Sequence, residues 1–190
     1  MNNFRSLLQP WRVEDSAELY GIHSWGAGYF DVSSNGDVVI CPNGPQGPKV
    51  SIPEIIEGIK ERGYDMPCLL RVENILDTQI ANLHESFRKA IKNLGYKGSY
   101  RGVFPVKVNQ QQQVIEEIAD FGSRYHHGLE VGSKGELIAA VSHLSDREAC
   151  LICNGYKDGE FIDLGLQAQR IGLNVFFVIE MPGELETILQ

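Results

Sequence analysis

Short apolar runs alternate with longer amphipathic segments along most of the chain. The segment 77–94 is typical of the second kind, since Ile80, Leu83, Phe87 and Ile91 recur at the spacing of one helix face. The apolar runs that predict strands are 68–72, 102–108, 128–131, 150–153 and 175–179, and each is followed by a predicted helix. Five such strand-then-helix units indicate parallel strands covered by crossover helices, and therefore an α/β fold.

A doubly wound open sheet and a (β/α)8 barrel both fit this alternation. The chain has 190 residues and reaches Gln190 inside an apolar helical pattern without a stop signal. A complete barrel typically needs about 250 residues. We therefore expect a partial (β/α)8 TIM barrel with about five β/α units.

The first 50 residues have a different pattern. Two β-type runs, 29–33 and 37–40, flank Ser34-Asn35-Gly36, a sequence that favours a hairpin turn. Residues 41–48 are rich in proline and glycine and predict a linker. We expect residues 1–50 to form an N-terminal β segment and linker belonging to a second, β-rich domain, and residues 51–190 to form the barrel portion.

Charge and cysteine content narrow the function classes. The chain carries 17 basic and 25 acidic residues, a net charge of −8, which disfavours nucleic-acid binding. It lacks a signal-peptide pattern and any apolar run of about 18 residues, so no membrane partner is expected.

Cys150 and Cys153 form a C-x-x-C pair that fits a redox or metal half-site, but no second pair completes it. Buried strand thiols in a reducing, cytoplasmic compartment are the favoured interpretation.

Lys107 is the first candidate for chemistry. Side chains alternate along a strand, so Lys107 would point to the inner side at the C-terminal end of its strand, where barrel active sites lie. Apolar surroundings favour the neutral amine that forms a Schiff base with an aldehyde. The alternative is a strand-end lysine whose ammonium group reaches water.

Glu130 lies on the next predicted strand and would point the same way as Lys107. It stands between Gly128 and Gly132, which would leave room for a ligand, and its carboxylate could orient Lys107 or relay protons. A structural ion pair is the alternative. Ser133 opens a helix whose free backbone N–H groups offer a polar anchor, or simply a cap.

Five ordered segments carry a family resemblance. They are 23–30, 71–76, 103–110 (Val-Phe-Pro-Val-Lys-Val-Asn-Gln), 128–134 (Gly-Leu-Glu-Val-Gly-Ser-Lys) and 153–158 (Cys-Asn-Gly-Tyr-Lys-Asp). In this order they resemble the biosynthetic arginine decarboxylases. Those enzymes depend on pyridoxal phosphate (PLP) and have an alanine-racemase-like barrel, as do ornithine and diaminopimelate decarboxylases.

The resemblance implies decarboxylation of L-arginine to agmatine in polyamine biosynthesis. It implies that Lys107 forms a Schiff base with PLP, that Glu130 is the acidic residue beside the cofactor, and that Ser133 contributes to the same motif. Magnesium dependence and a homo-oligomer are implied too, although the sequence suggests no metal ligands. The family's phosphate loop and pyridine-nitrogen carboxylate would lie beyond Gln190, so the 190-residue chain alone is expected to be inactive.

Two other functions stay open at this point. One is a non-catalytic homologue that binds PLP or a partner enzyme for regulation. The other is an aldolase-like barrel that uses Lys107 without PLP, although this leaves the N-terminal resemblance unexplained.

Overall fold

A computed structural model describes residues 10–190. The chain forms two compact units, of which the first ends at Ile75 and the second is Leu76–Gln190. This division falls later than the predicted domain boundary at residue 50, because the helix that follows residue 51 packs on the small N-terminal sheet.

The first unit is a three-stranded antiparallel sheet with helices. Its elements are α1 (Val13–Leu19), α2 (Ile22–Trp25), β1 (Phe30–Val32), β2 (Val38–Ile40), β3 (Val50–Ser51) and α3 (Ile52–Glu61), with strand order β1-β2-β3. The predicted hairpin is confirmed, and Gly36 supplies the positive φ of 89° that its turn requires. Ser51 caps α3 as predicted, since its hydroxyl accepts a hydrogen bond from the Glu54 N–H. The sequence analysis missed α1 and α2.

The second unit contains a four-stranded parallel sheet in the order β4-β5-β6-β7. The elements are α4 (Glu73–Leu94), β4 (Val103–Pro105), a 3-10 turn (Val106–Val108), α5 (Gln112–Gly122), β5 (Gly128–Val131), α6 (Lys134–His143), β6 (Cys150–Cys153), α7 (Gly159–Arg170), β7 (Asn174–Phe177) and α8 (Pro182–Leu189). The α/β class with parallel strands is thus confirmed.

The first predicted strand, 68–72, does not form in the described chain, so four parallel strands are present there instead of five. Leu69 is 74% exposed, and Cys68 and Leu70 are also exposed. An apolar run becomes a strand only where a neighbouring strand accepts its backbone hydrogen bonds, and the run alone cannot predict that neighbour.

The core of the second unit lies between the sheet and its helices. Leu129, Val131 and Leu151 are fully buried in it. Between β5 and β6 the backbones approach so closely that a Cβ atom on Gly128 would clash with the carbonyl oxygen of Cys150. Gly128 is therefore needed for strand packing, and the expectation that it leaves room for a ligand is wrong.

The cysteine pair has the predicted strand location. Cys150 and Cys153 are both free thiols on β6. Cys153 is buried, and this burial raises the pKa of its thiol to about 12. A thiol held protonated in the core is a packing group and a poor nucleophile.

Within residues 10–190, no helix has both the length and the apolar content needed to cross a bilayer.

Two buried histidines meet beneath the N-terminal ends of β4 and β5. His84 Nε2 on α4 lies 2.8 Å from His127 Nδ1, so one ring donates a hydrogen bond to the other. Burial first, and the nearby His84 second, lower the pKa of His127 to about 4. Burial, Arg88 and Arg101 also lower the pKa of His84, while Glu85 opposes them. Both rings are therefore neutral in the folded protein near pH 7.

We expect the folded protein to lose stability in mild acid because of this pair. In the unfolded chain, His127 takes up a proton once the pH falls below its ordinary pKa of 6.5, whereas in the folded protein it stays neutral until the pH approaches about 4. Acid therefore favours the unfolded chain, which binds more protons. Between pH 7.5 and pH 5, His127 alone is expected to lower the free energy of unfolding by about 2 kcal/mol. Urea denaturation at the two pH values measures this loss.

A variant of His127 separates this contribution from others. His127→Gln is expected to reduce the pH dependence of the free energy of unfolding, because glutamine does not titrate. An equal pH slope in wild type and His127→Gln would contradict the assignment.

Candidate active site at the C-terminal edge of the parallel sheet

Lys107 lies two residues after the end of β4 and not on the strand. Pro105 ends the strand, and residues 106–108 form a 3-10 turn closed by the Asn109 N–H on the carbonyl oxygen of Val106. Proline lacks the N–H that a continuing ladder would use, which explains why the strand stops there. The prediction that Lys107 is a strand residue is therefore wrong, although its place at the C-terminal edge of the sheet is confirmed.

The turn changes the surroundings of Lys107. Val106 points into the core, whereas the Lys107 side chain is 64% exposed. The dry apolar setting expected from strand alternation is absent from the described part of the chain, because the turn directs the side chain beyond the sheet edge.

Glu130 lies beside Lys107 as predicted. In the parallel register Pro105 is opposite Glu130, so the residue after β4 and the carboxylate on β5 meet at one edge. Lys107 Nζ is 3.9 Å from Glu130 Oε1, and Glu130 is only 7% exposed. At this distance the carboxylate attracts the ammonium form of Lys107 and can exchange a proton with the amine after a small rotation.

One oxygen of the Glu130 carboxylate has no hydrogen-bond partner among the described residues. Asn154 Nδ2 donates a hydrogen bond of 2.9 Å to Oε1, while Oε2 is buried without a hydrogen-bond partner among residues 10–190. Buried carboxylate oxygens are nearly always paired, so this atom indicates a place for a donor that the described chain does not supply. An exposed amine next to it is suited to bind an aldehyde group covalently.

Ser133 caps α6. Its hydroxyl accepts a hydrogen bond from the Glu136 N–H, and the Glu136 carboxylate accepts one of 2.8 Å from the Gly132 N–H and another of 3.1 Å from Gln110 Nε2. Two of the N–H groups that the sequence offered as a polar anchor are thus already paired. A cofactor contact for Ser133 stays a prediction.

The sequence analysis missed a buried ion pair near this edge. Lys157, just before α7, and Glu184, in the first turn of α8, are both buried, with Nζ 3.2 Å from Oε2. Hydrogen bonds from the N–H of Glu180, then from the N–H and ammonium of Lys157, lower the pKa of Glu184 to about 2 although burial opposes them. One indication of this pair was present in the sequence, which is that Lys157 lies in the loop after the apolar run of β6.

No group of three or more His, Cys, Asp or Glu side chains within residues 10–190 has the arrangement of a metal site. Lys107, Glu130 and Asn154 bring an amine, a carboxylate and an amide together at this edge of the sheet.

Comparison with known proteins adds the family context of this geometry. Residues 78–190 match the family model described as "pyridoxal-dependent decarboxylase, pyridoxal binding domain", a range that includes Lys107, Glu130 and Ser133. Among curated proteins, the chain is 46% identical over 182 residues to the biosynthetic arginine decarboxylase of Prochlorococcus marinus (strain MIT 9313). It is 45% identical over 183 residues to that of Gloeobacter violaceus (strain ATCC 29082 / PCC 7421).

Each alignment covers 96% of this chain and 28% of the relative, so the chain spans little more than a quarter of the length of these proteins. Among solved structures, the biosynthetic arginine decarboxylase SpeA from Campylobacter jejuni is similar with a TM-score of 0.83 and 38% identity. That match covers 90% of this chain and 28% of the solved chain.

Proposed function

Since the chain belongs to the pyridoxal-dependent decarboxylases through their pyridoxal-binding domain, we propose that the complete protein decarboxylates L-arginine to agmatine and CO2. The observation that carries the proposal is the amine of Lys107 beside the buried Glu130 carboxylate, 3.9 Å apart and inside the matched region. The choice of arginine over other amino acids is supported by the names of the relatives at 40 to 46% identity.

The residues present fit PLP in two respects. Lys107 offers an exposed amine through which the cofactor would be held, and Glu130 Oε2 offers a buried acceptor that lacks a donor. When bound, PLP supplies a conjugated ring that accepts the electrons released when the carboxylate leaves the substrate.

The remaining chemistry belongs to side chains of this chain. Glu130 would orient the Lys107 amine and hold a proton at its carboxylate when Nζ must be neutral. Lys107 would give up and regain a proton at Nζ in each turnover, and its exposure leaves it accessible to an incoming α-amino group. Ser133, at the start of α6, is a further candidate contact to the cofactor.

The proposal is tested with the full-length protein supplied with PLP. Release of CO2 from carboxyl-labelled arginine, ornithine, lysine and diaminopimelate is measured in parallel, and agmatine is identified as the product. Arginine is expected to be the preferred substrate. Binding of PLP without turnover of any of the four would favour the non-catalytic homologue, and failure to bind PLP would favour the aldolase-like alternative.

Finer expectations accompany the proposal. They are a role in polyamine biosynthesis, magnesium dependence, a homo-oligomer, a cytoplasmic location that suits four free thiols, and completion of the (β/α)8 barrel and a β-rich domain by further sequence. Magnesium rests on family resemblance alone and is tested by loss of activity on chelation. Inactivity of the isolated 190-residue chain stays a prediction.

A further inference from the structure

Asn154 connects two strands at the candidate site. It directly follows β6, and its N–H donates a hydrogen bond of 2.8 Å to the carbonyl oxygen of Val131 at the end of β5. Its side-chain amide donates to Glu130 Oε1 at 2.9 Å, the same oxygen that faces Lys107. Backbone and side chain of one half-buried residue are thus both bound to β5.

The loop that carries Asn154 is held by the exposed carboxylate of Glu180 and by the buried pair of Lys157 and Glu184. The Gly155 N–H donates to the Glu180 carboxylate at 3.0 Å, and the Lys157 N–H donates to Glu184 at 3.1 Å. Lys157 Nζ contacts both the carbonyl oxygen of Gly155 and the carboxylate of Glu184. These bonds anchor the loop on both sides of its exposed tip at Tyr156.

Gly155 makes the close approach possible. It has φ of 72°, and a Cβ atom there would lie 3.1 Å from the carbonyl oxygen of Gly132. A larger residue would be strained and would push the loop away from the end of β5. The arrangement therefore keeps the Asn154 amide within reach of Glu130.

We propose that Asn154 is a positioning residue whose amide N–H fixes the Glu130 carboxylate toward Lys107. This inference rests on the proposed function, because it concerns the same site. A donor on Oε1 determines which oxygen faces Nζ, so the negative charge stays in one place beside the amine.

The test uses the full-length protein with Asn154→Ala and Asn154→Asp, both of which remove the N–H donor. Two quantities are measured: the pH at the midpoint of the absorbance titration of the PLP-loaded protein, and kcat and KM for arginine separately. Alanine lets the Glu130 carboxylate turn away, which weakens the negative charge facing Nζ. Aspartate brings a second carboxylate against Glu130, and two carboxylates this close share a proton, so that the pair keeps one negative charge beside Nζ.

We expect the midpoint to shift downward by about half a pH unit or more in Asn154→Ala and to move less in Asn154→Asp, which keeps a negative charge near Nζ to stabilise its protonated state. kcat is expected to fall about 10- to 100-fold in both variants, as for loss of a hydrogen bond to a charged group. KM should change far less, since Asn154 acts on Glu130 and not on the substrate.

Asn174→Asp is the matched control, because Asn174 lies on β7 at the opposite, N-terminal end of the sheet and bonds the carbonyl oxygen of Glu148. It should keep the wild-type midpoint and kcat. If Asn154→Asp does not fold, the sign of the Asn154→Ala shift decides. Unchanged midpoints and kcat in variants of a PLP-binding, active wild type would overturn the inference alone, whereas a wild type without PLP absorbance would overturn the proposed function.

Discussion

Lys107→Ala in the full-length protein is expected to abolish covalent attachment of PLP and to lower kcat/KM for arginine by more than about a thousandfold. Alanine has no nucleophile, and the neighbouring carboxylate of Glu130 cannot replace an amine in binding an aldehyde. Reduction of the PLP-loaded protein with borohydride, followed by peptide mass analysis, is the direct measurement. The wild type should carry the cofactor on the peptide that contains Lys107.

Lys97→Ala is the matched control. Lys97 is exposed in the loop before β4, outside the edge of the sheet that carries the site, and its removal should change neither labelling nor activity. Cofactor found on another lysine in the wild type would move the site elsewhere. Full labelling with no decarboxylation would keep Lys107 as the attachment residue and contradict the enzyme assignment.

Lys157→Met is expected to lower the free energy of unfolding by on the order of 3 to 5 kcal/mol, because it leaves the Glu184 carboxylate buried without its counter-charge. Glu184→Gln should also destabilise, since three backbone N–H groups then face a neutral amide that accepts hydrogen bonds more weakly. Thermal unfolding and soluble yield of the full-length protein measure both effects.

The surface pair between Lys134 and Glu160 provides the comparison. Its atoms are closer, at 2.6 Å, but both side chains are largely in water, so Lys134→Met should cost a small fraction of the Lys157→Met effect. The double variant Lys157→Met/Glu184→Met should recover part of the lost stability, because no unpaired charge remains buried. Equal stability of Lys157→Met and wild type would show that the buried pair does not hold the loop.

The neighbourhood of Lys107 and Glu130 could be predicted because it follows from strand order. Consecutive parallel strands lie side by side, and residues at their C-terminal ends meet at one edge. The first and last residues of β5 and β6 could also be predicted, since each strand is a short apolar run between two amphipathic segments. The exposure of the Lys107 side chain could not be predicted in this way. A 3-10 turn follows Pro105, and it directs the side chain differently from a continuing strand.

The sequence by itself thus determined the α/β class, the hairpin at Gly36, the cap at Ser51 and the proximity of Lys107 to Glu130. These depend on local spacing, turn composition and strand order. Only the tertiary structure decided that 68–72 forms no strand, that His84 meets His127, that Lys157 is buried against Glu184, and that Asn154 reaches Glu130. Each of these depends on which distant residue fills the neighbouring space, and no periodicity along the chain encodes that contact.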